Sequence, residues 1–261
     1  MTTNLYLCLE LGLVLLICSA LVEVGLISTT LAWLTPRASP ATSAGFHFYD
    51  GVSADSPQYT LSAVPAHFLT VQTYVALADG GLTFLLIGAG GFLAFWARRR
   101  HLRLYHRHSY HLRHTSSLAS RTLLYCYYAW VGLQVPLLLF TAATLGLVFN
   151  VTAARQGQEI RVDAAIKASP SNSSSSGVPE PYPLDSWTPQ SWFPAVLDLD
   201  LVESRGDIRA AVSIMQGWFW NLCPLLVFQV VVAVLASLEL VQWRRARQTR
   251  TSHEIKRLSR V

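Results

Sequence analysis

Residues 11–34 read LGLVLLICSALVEVGLISTTLAWL, an apolar run that contains one acid, Glu23, and no basic residue. A transmembrane helix needs about 20 mainly apolar residues to cross a hydrocarbon core of about 30 Å. Three further runs meet this requirement, at residues 71–97, 122–149 and 212–243. None of them shows the alternating pattern of about ten residues that is typical of membrane strands. The sequence therefore predicts an all-α polytopic membrane protein with four transmembrane helices.

The composition of the whole chain agrees with this prediction. Of its 261 residues 52% are hydrophobic and only 13% are charged, whereas about a quarter of the residues in an ordinary soluble domain are charged. A soluble surface cannot be built with so few charges. The composition thus excludes a soluble enzyme, a nucleic-acid-binding domain and a disordered tail protein, and a nucleic-acid partner is not expected.

The distribution of basic residues predicts the orientation of the chain. Segments 98–121 and 244–261 together hold 14 of the 20 Lys and Arg residues, and such residues concentrate in the cytoplasmic flanks of membrane helices. We therefore expect residues 1–10, 98–121 and 244–261 to be cytoplasmic, and loops 35–70 and 150–211 to lie outside or in a lumen. The first apolar run is longer than the 7 to 15 apolar residues of a signal peptide, so it is expected to be retained. Its length permits the plasma membrane or an endomembrane.

Two glycosylation sequons fall on the predicted outer side, at Asn150 and Asn172. Glycans are attached to Asn-x-Ser/Thr sites exposed outside the membrane. Asn172 is the better acceptor because Asn150 lies at the membrane face. Asn172 also belongs to a Ser- and Pro-rich linker, residues 168–183, whose composition cannot bury a core.

The outer loops contain short segments that predict local structure. In the first loop, residues 45–49 and 59–64 alternate weakly and are separated by turn residues, which predicts a β-hairpin. An isolated hairpin is marginally stable, so it must pack against the second outer loop. In that loop a helix is expected to start at Pro194. This segment is either a partner-binding cap or, as we favour, an amphipathic helix on the outer leaflet or the helix ends.

Neither outer loop contains a cysteine, since the four cysteines are Cys8, Cys18, Cys126 and Cys223. The four-span arrangement resembles the topology of tetraspanins and claudin-like proteins. Tetraspanins carry Cys-Cys-Gly in the large outer loop, and claudins carry a Trp with paired cysteines in the first. This sequence has neither pattern, so the resemblance is one of topology alone and no family is inferred.

The cytoplasmic loop carries five histidines within residues 98–114. Neutral imidazoles are metal ligands, but interleaved arginines oppose a divalent cation, and no metal site is predicted. The favoured interpretation is attraction to anionic lipid head groups, each basic residue contributing about 1 kcal/mol. Histidine protonation would strengthen this attraction at lower pH. The predicted lipid-binding residues are Arg98, Arg99, Arg100, Arg103, Arg107, Arg113, Arg244, Arg245 and Arg247, and Ser259 follows basic residues in a pattern that predicts phosphorylation.

Ionisable and amide side chains inside the spans are costly in lipid and are candidate functional residues. By position in each run, Glu23, Gln134 and Gln229 share one depth, while Asp79 and Asn221 lie further outward. We expect two hydrogen-bonded layers, with both acids protonated or held by donors, because desolvation disfavours their charged forms. Glu239 is one turn from Trp243 and is expected to reach the cytoplasmic interface.

The expected function is that of a non-catalytic organiser or adaptor whose basic cytoplasmic surfaces contact lipid or protein. The alternative is a small transporter or channel subunit that depends on Glu23 and Asp79. No catalytic motif or cofactor-binding pattern is present in the sequence, and no cofactor is predicted. The second run contains two small-xxx-small motifs, which begin at Ala76 and Gly90. Such motifs allow close helix packing, either within the chain or in a homo-oligomer.

Overall fold

The computed structural model describes residues 3–38, 45–49, 57–96, 116–169 and 179–258. Within these ranges the chain forms six helices and one two-stranded sheet, and it is mostly helical. In chain order the elements are α1 (Thr3–Ala38), β1 (Phe46–Tyr49), β2 (Gln58–Leu61), α2 (Val71–Trp96), α3 (Ser116–Ala153), α4 (Val162–Ala168), α5 (Pro189–Leu197) and α6 (Arg205–Leu258).

Four of these helices are long and apolar enough to cross a membrane. The qualifying segments are Leu5–Ala38, Val71–Trp96, Tyr125–Ala153 and Arg205–Arg245. The prediction of a mostly helical chain with four candidate membrane-spanning helices and a small hairpin is confirmed. The fourth helix begins earlier than predicted, because residues 205–211, assigned to the outer loop, form its first two turns.

The four long helices expose large apolar side chains along their lengths. Leu11 on α1, Leu93 on α2, Leu139 on α3 and Val227 on α6 are each more than half exposed. Soluble proteins rarely expose large contiguous apolar surfaces. These exposed faces are therefore suited to contact with lipid chains.

Helix α2 changes its winding midway. Residues Val71–Leu82 are α-helical, and Thr83–Ala89 form a π-helix. π-Helical turns are rare and usually appear as single-turn insertions. Nothing in the hydropathy pattern of the second run predicted this segment.

The structure divides into two compact units, each of which contains part of every long helix. One unit comprises Met1–Leu21, Gly80–Ala142 and Cys223–Val261, and we call it the apolar unit. The other comprises Val22–Asp79 and Ala143–Leu222, and we call it the loop-bearing unit because it includes both predicted outer loops.

In the apolar unit, aromatic side chains pack at one end. The ring of Phe95 lies edge to face against those of Tyr6, Tyr127 and Trp130, with centroid distances of 5.3, 6.0 and 6.0 Å. Such edge-to-face pairs add to the free energy gained from burying the rings. This aromatic cluster therefore stabilises the contacts among α1, α2 and α3.

In the loop-bearing unit, the two predicted outer loops are joined by main-chain hydrogen bonds. Strands β1 and β2 pair antiparallel, with Phe46 opposite Leu61. The second loop adds to β1, because the Tyr49 amide donates to the Asp200 carbonyl over 3.0 Å and the Val202 amide donates to the His47 carbonyl over 2.9 Å. The hairpin packs against the second loop, as its marginal stability in isolation requires.

The core of the loop-bearing unit is rich in tryptophan. Trp187 and Trp192 are fully buried, with ring centroids 5.1 Å apart. Their indole N–H groups donate to the carbonyls of Leu184 and Ala63, respectively. Burying the ring and satisfying its one donor is the arrangement that a core tryptophan needs. The second loop contacts the first through these rings.

The start of α5 differs from the sequence-based expectation. The helix begins at Pro189, five residues before Pro194, which lies inside it. Thr188 is the N-cap: its hydroxyl accepts from the Ser191 amide, and the Ser191 hydroxyl accepts from the Thr188 amide. This reciprocal capping box, followed by proline at the first helical position, determines the start. The helix packs within the core and does not lie on a surface, since most of its residues are buried.

We predict that the Trp192→Ala variant loses stability while the Trp220→Ala variant does not. Trp192 is fully buried, whereas the side chain of Trp220 is 62% exposed. Truncating a buried tryptophan costs about 3 to 5 kcal/mol in free energy of unfolding, so the loop-bearing unit should unfold at a lower temperature. Thermal unfolding of the detergent-solubilised protein measures this difference. Equal losses in the two variants would contradict the assignment of Trp192 to the core.

Candidate functional site

The central polar contact of the loop-bearing unit joins α1 to α6. The side-chain amide of Asn221 donates to Oε2 of Glu23 over 2.8 Å. Glu23 is fully buried, and its Oε1 atom has no hydrogen-bond partner among the described residues. In apolar surroundings a carboxyl group requires such a donor, because burying it without one is costly. We call this contact the Glu23–Asn221 pair.

Asp79, near the end of the α-helical part of α2, contributes a second acid. Its side chain is fully buried, and its carboxyl group interacts electrostatically with that of Glu23. Two ionised carboxylates in an apolar interior repel each other strongly. The loop-bearing unit therefore buries two acidic side chains, Glu23 and Asp79.

The structure groups the polar residues differently from the two predicted layers. Asn221, expected to lie beside Asp79, bonds to Glu23, which was expected to meet Gln134 and Gln229. The two glutamines belong to the apolar unit; both are buried, and their amide atoms have no hydrogen-bond partner among the described residues. Depth along a run fixes neither helix rotation nor the direction of a side chain, which is why the layer predicted from Glu23, Gln134 and Gln229 is wrong. The predicted contact of Asp79 with Asn221 stays a prediction.

A second pair, in the apolar unit, was not predicted. The Tyr127 hydroxyl on α3 donates to Oε2 of Glu239 on α6 over 2.5 Å. Glu239 is fully buried, and its expected reach to the cytoplasmic interface stays a prediction. The sequence did contain a signal, since Tyr127 lies near the start of its run and Glu239 near the end of an antiparallel one. We call this contact the Tyr127–Glu239 pair.

The π-helical segment of α2 packs against Trp130. The indole N–H of Trp130 donates to the Ile87 carbonyl over 3.2 Å. A Cβ atom on Gly91 would lie 2.6 Å from the Trp130 ring, and one on Gly88 would lie 2.6 Å from Ile17. The glycines at these two positions permit packing within the apolar unit. A homo-oligomer through the glycines of α2 remains a prediction.

The structure describes four of the predicted glycosylation and lipid-binding residues, and the others lie outside the described residues. Asn150 is exposed on α3, and Arg244 and Arg245 are exposed on α6. The guanidinium of Arg244 also lies 5.1 Å from the centre of the Tyr128 ring. Arg247 lies within α6. The remaining sites are outside the described ranges: Asn172, Arg98, Arg99, Arg100, Arg103, Arg107, Arg113 and Ser259.

Comparisons with known proteins give no relative. No protein family, curated protein or solved structure matches the chain. In the part of the chain that the structure describes, no group of three His, Cys, Asp or Glu side chains is arranged to hold a metal ion.

We predict that replacing Asn221 by Leu destabilises the protein by about 1 to 3 kcal/mol, because Glu23 then loses its donor. Gln216 is an exposed amide on the same helix, and its replacement by Leu should change stability by less than about 0.5 kcal/mol. Chemical unfolding in detergent measures both effects. A double-mutant cycle with Glu23→Leu should give a coupling energy of about 0.6 to 2 kcal/mol; strict additivity would show that the pair contributes nothing.

For the second pair we predict that Tyr127→Phe lowers the free energy of unfolding by about 1 kcal/mol, because the buried Glu239 loses a hydrogen bond. Tyr125 lies on the same helix and is 70% exposed. The Tyr125→Phe variant removes the same hydroxyl without loss of a buried contact, so its stability should match that of the unaltered protein. If the two variants have the same free energy of unfolding, the Tyr127 hydroxyl has no stabilising role.

Proposed function

We propose that the protein is a non-catalytic membrane adaptor that crosses the bilayer four times. In this proposal its termini and basic loop face the cytoplasm, and the loop-bearing unit presents a recognition surface outside or in a lumen. The proposal rests chiefly on one observation: buried polar side chains on different long helices are hydrogen-bonded to each other.

The Glu23–Asn221 pair supports an architectural role for the polar groups. Its donor and acceptor come from α6 and α1, so the bond fixes the rotation of one helix against the other. The Tyr127–Glu239 pair makes the same kind of contact between α3 and α6. Interhelical hydrogen bonds of this kind contribute modestly to stability, but they select one arrangement of helices. A fixed arrangement is what an adaptor needs to hold its two faces in place.

The folded loops support the recognition part of the proposal. Main-chain hydrogen bonds join the first loop to the second at two places, around Phe48 and around Phe68. Loops that are ordered by a core before binding lose less conformational entropy when a partner docks. This order favours a surface that recognises a partner of defined shape.

The basic segments support the cytoplasmic part. Helix α6 continues to Leu258 and carries Arg244 and Arg245 on exposed positions. Each basic residue near an anionic leaflet contributes about 1 kcal/mol to attraction. Together with the loop at 98–121, this extension would hold acidic head groups or an acidic segment of a partner protein.

A second candidate function is conduction of protons or cations through the acids. It is favoured by the electrostatic interaction between Glu23 and Asp79, both fully buried. Paired carboxyl groups of this kind occur in proton relays of membrane transporters. We rank it second because Asn221 already engages one of the carboxylate oxygens of Glu23.

Exchange of both acids discriminates between the two functions. Glu23→Gln keeps a hydrogen-bonding side chain of the same length opposite Asn221, and Asp79→Asn keeps the shape of Asp79. We expect the double variant to be targeted and to assemble as the unaltered protein does. Proteoliposomes that contain an internal pH-sensitive dye measure proton flux, and the unaltered protein should give no more flux than empty vesicles. A flux that the double variant abolishes would establish conduction instead.

Orientation is tested separately on intact cells. A carboxyl-terminal epitope should be inaccessible to antibody until the membrane is permeabilised. Asn172→Gln should remove one glycan and lower the apparent mass, because this sequon lies on the proposed outer side. Asn150→Gln is the matched control and should leave the mass unchanged, since Asn150 is helical and is expected to lie at the membrane face. An epitope accessible without permeabilisation would overturn the topology.

A further inference from the structure

A cavity of about 360 Å³ lies between the end of α1 and the beginning of α6, within the loop-bearing unit. Its walls include Thr30, Trp33 and Arg37 from α1, and Asp207 and Ile214 from α6. Cavities of about 300 to 1,000 Å³ are the usual size of small-ligand sites. The residues of the two interhelical pairs do not line this cavity, so its role is separate from theirs.

Arg37 is held in place on one wall of the cavity. Its Nη1 donates to the Trp33 carbonyl over 2.9 Å, and its guanidinium carbon lies 4.0 Å from the centre of the Trp33 ring. The Trp33 ring is in turn fixed by an edge-to-face contact with Phe193 at 4.8 Å. A guanidinium has five N–H donors, and this hydrogen bond uses one of them. The other donors have no hydrogen-bond partner among the described residues, and they form a positioned cationic group suited to a phosphate.

The opposite wall provides the complementary charge. Asp207 lies in the first turn of α6 and lines the same cavity as Arg37. The site therefore combines one fixed cation with one anion. A ligand that matches both must itself carry a negative and a positive group. A simple anion would be repelled by Asp207, and a simple cation by Arg37.

Polarity also changes along the cavity. Arg37 and Asp207 lie at one end, while Thr29, Thr30 and Ile214 lie about 7 to 8 residues further along their helices, or about 10 to 12 Å at 1.5 Å per residue. The change from charged to uncharged lining lies near the loop ends of two candidate membrane-spanning helices. Phospholipids have this same order, with a charged head group followed by a glycerol backbone and acyl chains.

We propose that this cavity binds the head group of a zwitterionic phospholipid such as phosphatidylcholine. The phosphate contacts Arg37, which the Trp33 ring holds in place, and the quaternary ammonium lies near Asp207. The inference rests on the proposed membrane insertion. It does not depend on the orientation of the chain, because a symmetric bilayer offers the same lipid on both sides.

Lipid retention by the full chain tests this site. The protein is reconstituted in nanodiscs made of equal amounts of phosphatidylcholine and phosphatidylglycerol with identical acyl chains, then extracted in mild detergent. Mass spectrometry measures the retained lipids. The unaltered protein should retain phosphatidylcholine in excess. Arg37→Gln should reduce its retention about fivefold, the effect of one partly exposed ionic contact.

The Asp207→Asn variant gives a sharper result. With Asp207 neutral, no carboxylate repels a net anionic head group while Arg37 still attracts its phosphate, so retention should shift toward phosphatidylglycerol. The control variants are Arg209→Gln and Glu203→Gln, exposed charges close by on the chain, and both should behave as the unaltered protein. Every variant keeps the basic cytoplasmic segments. Comparison with the controls therefore removes the contribution of any anionic lipid that is bound there.

A third variant tests the cavity without a change of charge. Ala210 lines the cavity, and Ala210→Phe should fill it and abolish the lipid preference. Ser213 is exposed on the same helix, and Ser213→Phe should keep the preference.

Three outcomes overturn the proposal: equal retention of the two lipids by the unaltered protein, variants that match their controls, or displacement of the lipid by equimolar glycerophosphocholine. The last would identify a soluble zwitterion as the ligand. Failure of the adaptor proposal shows instead as proton flux or as reversed epitope accessibility, so the two failures are distinguishable.

Discussion

The hydrogen bond from Asn221 to Glu23 addresses the main physical difficulty of this chain, a carboxyl group inside an apolar helix. An isolated carboxylate in such surroundings is too costly to keep, and an acid that meets a donor on a neighbouring helix becomes a specific contact. Glu23 is fully buried and accepts the Asn221 amide. Because a hydrogen bond has a preferred direction, this contact adds to apolar packing in fixing how α1 faces α6.

The same principle operates in the apolar unit with different chemistry. There a tyrosine hydroxyl meets Glu239, and an indole N–H meets the Ile87 carbonyl in the π-helical part of α2. A π-helical turn changes the hydrogen-bond pattern of its backbone, and the Trp130 donor engages one of the carbonyls there. Side chains with one polar atom on a large apolar body are well suited to this role, since the ring packs while the polar atom pairs.

The features that the sequence predicts well are those determined by length and composition. Four long apolar runs with few charges are sufficient to predict four helices, and alternating residues near Phe46 and Tyr59 are sufficient to predict a hairpin. The sequence did not predict the pairing of Glu23 with Asn221. That pairing depends on how each helix is rotated about its axis, and the position of a residue along an apolar run gives only its depth. Tyr127 was overlooked because aromatic residues are common near the ends of membrane helices. The start of α5 is indicated by Thr188 and Pro189, a capping residue followed by a proline. The expectation of a start at Pro194 did not take this pair into account.

The loops that join the helices are held together without any covalent cross-link. Their stability comes from buried rings such as Trp187, Trp192 and Phe193 and from backbone pairing, while the four cysteines are all at residues 8, 18, 126 and 223. Reducing agents consequently have no bond to break in this part of the molecule. It can reach its final shape in a compartment that lacks thiol oxidases, and its assembly needs no disulfide isomerase.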